Sequence, residues 1–157
     1  MFIADSQVHI WRANTPERPW LPGEKSHREP PLEADELLRE MDAAGVHRAV
    51  LVPPFLDGSR NDVVLEAARQ HPDRFAAMGR VDLDAPASRE QIPVWRRQPG
   101  MLGFRYSFYR PQTAARLTEE RLEWLWEGAE KAGVPIMIIC RRRCCARWTA
   151  LPNAIRD

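Results

Sequence analysis

Long hydrophobic runs are missing from this chain. No window approaches the roughly 18 consecutive apolar residues that a membrane span requires, so neither a membrane helix nor a membrane partner is expected. Cysteine is scarce. Its three residues, an odd number, argue against a disulfide-stapled secreted domain. The N-terminal Met1-Phe2-Ile3-Ala4-Asp5 has neither a basic stretch nor a long apolar one, so it does not read as a signal peptide. Together these absences make a cytoplasmic location the expectation. Lysine is nearly lacking, with two residues against 21 Arg. No fold demands that ratio, and a GC-rich gene is its simplest source. Also missing is a Gly-x-Gly-x-x-Gly after the first β-rich segment, which removes the usual support for a dinucleotide-binding fold.

What remains is a chain of 157 residues, 44% hydrophobic and 29% charged. That length suits one domain with a core of its own, and the composition excludes a disordered or collagen-like chain. The formal net charge is +1, but it is unevenly spread. Residues 141–157 carry five Arg (Arg141, Arg142, Arg143, Arg147, Arg156) against one Asp, a local +4 that leaves the preceding 140 residues at −3.

Along the chain, strand and helix patterns alternate. Residues 2–11 are rich in β formers and read as a strand. Residues 12–31 hold Pro16, Pro19, Pro22, Gly23, Pro30 and Pro31, a density that fits only a long loop. Leu37, Leu38, Met41 and Ala44 recur at helical spacing, with Gly45 as a left-handed cap. Residues 49–52 form an apolar strand ended by Pro53-Pro54. Val63, Val64, Ala67, Ala68 and His71 mark a second helix, stopped by Pro72. Residues 75–81 read as a third strand, 86–98 as a weaker helix and 101–108 as a fourth strand. Leu122, Leu125, Trp126, Ala129 and Ala132 make an amphipathic stripe, with Glu119 and Glu120 placed for its first turn. Gly133 caps it, and residues 134–139 form a fifth, wholly apolar strand. Ala44-Gly45-Val46 and Ala132-Gly133-Val134 repeat one helix-to-strand junction.

Strands alternating with helices imply an α/β fold with a parallel sheet covered by helices. A doubly wound, flavodoxin-like sheet and a barrel both satisfy the pattern. A (β/α)8 TIM barrel needs about 250 residues, so this chain supplies five strands and four helices of a partial barrel. The alternatives to an enzyme are a flavodoxin-like sheet with a regulatory role and a non-catalytic small-molecule-binding α/β domain.

The most informative stretch is Asp5-Ser6-Gln7-Val8-His9-Ile10-Trp11. Gln7 and His9 are two apart, so on a strand both face the same side. On a barrel strand that side is the interior, and chemistry sits at the C-terminal end. A lone His in such a place is a metal ligand or a satisfied core residue. Arg105, late in the fourth strand, suits either a bidentate grip on a substrate carboxylate or a salt bridge to a neighbouring carboxylate. Arg80 and Asp82 end the third strand and are expected to pair with each other, with Arg80 a secondary substrate-binding candidate. Trp11, Trp20, Phe55 and Tyr106 either line an aromatic pocket or belong to the core.

Five segments together resemble the amidohydrolase-related family, the branch of the amidohydrolase superfamily that holds lactonases and metal-dependent decarboxylases. They are the first-strand stretch continued by Thr15-Pro16-Glu17-Arg18-Pro19-Trp20, then Met41-Asp42-Ala43-Ala44-Gly45-Val46, His71-Pro72-Asp73-Arg74-Phe75, and Gly100-Met101-Leu102-Gly103-Phe104-Arg105. They cover about residues 1–139 in family order. The resemblance implies a TIM-barrel hydrolase of a lactone or related carboxylic ester or amide, with attack by an activated water on a small-molecule substrate. It further implies a first-strand His-x-His holding one divalent metal such as Zn, and His, His and Asp on strands five, six and eight. His9 matches the second position of His-x-His, while Gln7 stands at the first. An amide oxygen is a poor Zn ligand beside imidazole, so metal-dependent and metal-independent chemistry both stay open. The later groups have no match in this sequence, so the chain alone is expected to be nearly inactive. Its half-barrel surfaces are expected to drive homo-oligomerisation.

From Cys140 onward the pattern breaks. Cys140-Arg141-Arg142-Arg143-Cys144-Cys145 continues neither an apolar strand nor a covering helix. Residues 1–139 therefore read as the N-terminal half of a barrel, and 140–157 as a non-family basic tail. A nucleic-acid patch is not expected, for the run lacks aromatic neighbours. Adjacent Cys144 and Cys145 lack the Cys-x-x-Cys spacing of a structural zinc site. GC-leaning codons for 148–157, read one nucleotide back, encode Leu-Asp-Arg-Ile-Ala-Glu-Arg-His-Pro-Gly, an amphipathic helix ending like His71-Pro72. The tail is thus expected to be out of frame and the barrel truncated. Reading the nucleotides past the stop codon in the −1 frame for a later His and Asp tests this.

Overall fold

The computed structural model describes residues 1–118 and 122–141. Five strands make one sheet: β1 (Ala4–Val8), β2 (Arg48–Leu51), β3 (Phe75–Gly79), β4 (Met101–Phe108) and β5 (Ile136–Cys140). Their spatial order is β1-β2-β3-β4-β5, and every pairing is parallel. A doubly wound sheet reverses its strand order at a switch point. This sheet runs in chain order throughout, as consecutive barrel strands do, which disfavours the flavodoxin-like alternative.

The crossovers are helical. They comprise α1 (Ala34–Ala44), α2 (Asp62–Gln70), α3 (Ser88–Gln91) and, after the single turn α4 (Pro111–Ala114), α5 (Glu123–Lys131). The expected helix over 86–98 is only half α-helical. After Gln91 it tightens into a 3-10 segment, Ile92–Arg97. Pro93 sits at its start, where it withholds an N–H from the preceding turn. Glu119 and Glu120 lie outside the described residues, as does the tail beyond Arg141.

The repeated Ala-Gly-Val junction has one structural cause. Gly45 (φ 70°) and Gly133 (φ 61°) both adopt the left-handed conformation. The next amide then folds back onto its helix: Val46 N–H donates to Met41 at 2.8 Å and Val134 N–H to Ala129 at 2.8 Å. These are Schellman caps. They spend the valine amide on the helix, so β5 starts two residues later than the expected 134. It also runs one residue further, to Cys140.

β4 is the hinge of the core. Phe104, Tyr106 and Phe108 point to the helices, with ring centroids 6.1 and 6.2 Å apart along the strand. Trp95 lies 4.4 Å from Phe104, and Trp126 lies 6.4 Å from Phe108. Alternation sends Gly103, Arg105 and Ser107 to the other, concave face. Gly103 must be glycine, for a Cβ there would collide with the Pro135 carbonyl oxygen and sit 2.9 Å from the Pro135 Cγ.

The long loop over 12–31 contains no helix or strand, as its prolines require. Ion pairs pin it instead. Arg18 reaches Asp62 at 2.5 Å and the buried Asp57 at 2.9 Å, while Arg60 reaches Asp57 at 3.2 Å. Arg60 also donates to the Pro19 carbonyl at 2.7 Å.

Candidate active site

The concave face gathers its polar groups toward the strands' C-terminal ends. His9 follows β1 directly, and Nδ1 lies 2.7 Å from the Val52 carbonyl, just past β2. A carbonyl only accepts, so Nδ1 carries the proton and Nε2 keeps its lone pair. Burial holds the His9 pKa below its ordinary 6.5. The Val52 bond opposes this, and the smaller effects of the Arg105 and Arg80 charges add to the lowering. The imidazole is therefore neutral at neutral pH.

Gln7, two residues earlier, faces the same side. Its Oε1 accepts from Arg105 twice, from Nη2 at 3.0 Å and Nε at 3.3 Å. β1 and β4 are three strands apart, about 14 Å along a flat sheet, and curvature brings their side chains together. Arg105 is only 5% exposed, and burial lowers its pKa. Of its two expected partners, the neighbouring carboxylate is missing: among the described residues it forms no ion pair.

Arg80 does not pair with Asp82, contrary to expectation. Asp82 turns to the Asp84 amide, its Oδ1 accepting at 2.9 Å. Arg80 Nη2 donates to the Pro53 carbonyl, and its Nε is buried without a partner. Burial first, then the Arg105 charge, lowers its pKa to about 10. Asp57 acts on it only through space. Two guanidiniums thus share one face with no carboxylate of the described residues bonded to either.

Sequence reasoning missed the groups that aim Arg80. Asn61 looks like a helix N-cap before α2, yet its side chain caps nothing there. It brackets the Arg80 backbone instead, with Oδ1 accepting from Arg80 N at 2.9 Å and Nδ2 donating to Arg80 O at 2.8 Å. Phe55 supports the guanidinium at 5.4 Å, and Arg110 lies 4.8 Å from the same ring. Arg110 in turn holds Glu24 of the long loop at 2.7 and 3.2 Å, which keeps the Glu24 carboxyl below its usual range. Trp11 and Tyr106 are core residues. Trp11 is buried under His27, and the Tyr106 hydroxyl bonds the Val81 backbone.

The sequence profile of the amidohydrolase family matches residues 4–155. The chain belongs to the amidohydrolase family. Solved amidohydrolase structures share its fold. A probable 2-pyrone-4,6-dicarboxylic acid hydrolase from Acinetobacter baumannii, with citric acid bound, superposes with a TM-score of 0.74 at 15% identity, over 98% of this chain and 55% of that one. An amidohydrolase from Burkholderia multivorans with bound Zn gives 0.69 at 20% identity, over 96% and 53%. A 5-carboxyvanillate decarboxylase from Novosphingobium aromaticivorans, a D314N mutant bound to manganese and 3-methoxy-4-hydroxy-5-nitrobenzoic acid, gives 0.66 at 22%, over 87% and 50%. This amidohydrolase chain therefore spans about half the length of these relatives. A search of curated proteins gave no match. No helix among the described residues is long and apolar enough to cross a membrane.

Zn and Mn in those relatives raise the question of whether this chain's first strand suits a divalent metal. Its donor set does not. His9 offers one free nitrogen, but the Gln7 oxygen already accepts two N–H groups from a cation. A second guanidinium, Arg80, stands on the same face. Among the described residues no three His, Cys, Asp or Glu converge.

Proposed function

We propose that this chain carries the substrate-anchoring half of a hydrolase site for a lactone, or a related carboxylic ester or amide, whose substrate bears a carboxylate. The observation that carries the reading is the concave pair Arg80 and Arg105, neither bonded to a carboxylate among the described residues. A buried guanidinium without a counter-ion is costly, and a substrate carboxylate supplies the missing charge with bidentate geometry. The Nε edge of Arg105 faces Gln7, which leaves the Nη edge for that grip. Citric acid and a nitrobenzoic acid, the ligands of two relatives, each carry a carboxyl group. Neutral His9, held by Val52, presents Nε2 as an acceptor for a proton or hydrogen bond from substrate or water. Water activation and the remaining catalytic groups fall to the later barrel strands, as the resemblance implies. The same reading gives the chain a cytoplasmic place, self-association through its half-barrel surfaces, and a tail that follows β5, whose last residue, Cys140, lies one beyond the expected division at 139/140.

Titration calorimetry with citrate tests the anchor. A charge-assisted bond is worth about 1.5–3 kcal/mol, so Arg105→Gln is expected to weaken binding at least about ten-fold. Equal citrate affinity in wild type and Arg105→Gln overturns the reading. The chain alone is expected to leave lactones nearly untouched, and lactone hydrolysis abolished by His9→Ala contradicts that division of labour. Light scattering that finds only an 18 kDa monomer rules out self-association.

A further inference from the structure

We propose that this chain has exchanged a divalent cation for one of its own: Gln7 latches the Arg105 guanidinium, and that guanidinium keeps a metal ion off the first-strand pair Gln7 and His9. Gln7 Oε1 is the one atom of that side chain able to ligate a hard or borderline cation. Here it accepts from both Arg105 Nη2 (3.0 Å) and Arg105 Nε (3.3 Å). A metal ion bound to the same oxygen must either displace those donors or share the oxygen with a guanidinium. Sharing sets two cations a few ångströms apart on a buried face, where like charges repel far more than in water. Displacement strands Arg105, 5% exposed, with no acceptor and no carboxylate. Arg80 adds a second positive charge to the same face, its guanidinium donating to the Pro53 carbonyl and its backbone bracketed by Asn61. Gln7 is thus a positioning residue. It holds one edge of Arg105 and leaves the other edge free.

The inference concerns the first strand alone. It does not depend on the substrate being a carboxylate, and its test does not measure carboxylate binding. The whole chain, with its three cysteines alkylated so that thiolates take up no metal, is titrated with zinc against a chromogenic chelator. The variants are Gln7→His, Gln7→His/Arg105→Gln and, as a reference for uptake at other places, His9→Gln. Wild type is expected to take up no more zinc than His9→Gln. Gln7→His with Arg105 retained is expected to gain little. Gln7→His/Arg105→Gln is expected to bind at least about ten-fold more tightly than Gln7→His, because it pairs two imidazoles and removes the charge that repels the ion. Far-UV circular dichroism accompanies each titration. Should the double variant fail to fold, Arg105→Gln in the wild-type Gln7 background is read the same way, and it is expected to bind zinc more tightly than wild type. The proposal falls if wild type binds one zinc that His9→Gln loses. It falls equally if Gln7→His binds as tightly as the double variant, or if removing Arg105 changes nothing.

Discussion

At the scale of single residues, the site is a matter of which side chain uses which atom. His9 spends Nδ1–H on Val52 and keeps Nε2. In the unfolded chain it titrates near 6.5, and in the fold it titrates lower, chiefly through burial. Between those two values the unfolded chain binds more protons, so acid favours unfolding. The stability this gives is complete above about pH 6.5 and is lost as the pH falls toward the lowered value. Melting curves from about pH 7 to about pH 5 are therefore expected to slope less steeply for His9→Gln than for wild type, and equal slopes contradict the linkage. Asn61 is a second test. Asn61→Ala leaves the Arg80 amide and carbonyl without partners, at a cost of about 1–3 kcal/mol in urea unfolding. Asn61→Asp, which keeps an acceptor for the amide, is expected to cost less. The two-residue spacing of Gln7 and His9 was legible in the sequence, because a strand's period of two fixes a shared side. The bond from Gln7 to Arg105 was not, since 98 residues separate them and only the curvature of the sheet joins them. The expected Arg80–Asp82 pair fails for a similar reason. Two residues apart in sequence, Arg80 and Asp82 invite pairing, while Pro53 and Asn61 arrive from other elements.

At the scale of elements, the sequence announced most boundaries through local chemistry. Glycine caps after α1 and α5 and the unbroken β4 run follow from backbone geometry and alternation. Two misplaced limits trace to single groups, for Pro93 converts a helix into 3-10 and the Val134 amide delays β5; β1 (4–8) and β3 (75–79) are also shorter than the expected 2–11 and 75–81. Gly103 is where two elements touch most closely. Gly103→Ala must push Pro135 aside, and Pro135 O accepts the Phe104 amide at 2.9 Å, so β5 has to shift with it. Overpacking of this kind costs about 1–3 kcal/mol. The expected result is a lower urea midpoint with a loss of near-ultraviolet signal from Trp95, whose Nε1 bonds the Gly103 carbonyl at 3.0 Å. An unchanged midpoint for Gly103→Ala contradicts the close approach. The ion pairs on Asp57 act between elements too. Asp57→Ala leaves the half-buried Arg18 and Arg60 each one partner short, and losing such a charge-assisted bond costs about 1.5–3 kcal/mol. Limited proteolysis is expected to open the 12–31 loop first in that variant.

At the scale of the whole molecule, the sheet is a curved strip whose described edges are β1 and β5. Its inner strands β2, β3 and β4 bond on both sides, so hydrogen exchange is expected to be slowest there and faster in β1 and β5. Uniform protection across all five strands indicates a covered edge, as self-association gives. The consecutive strand order also bears on how the chain is born. Each strand finds its partner in the segment made just before it, so the sheet can lengthen strand by strand behind the ribosome, with no wait for a distant sequence. The contact between Gln7 and Arg105 breaks that rule. Gln7 is among the earliest residues to emerge and Arg105 among the last of the sheet's inner face. Their bond forms only after β4 has docked and the curved sheet has brought the two side chains together. It therefore serves as a clock for synthesis: it marks the moment when the concave site has gathered groups from its first strand and its fourth.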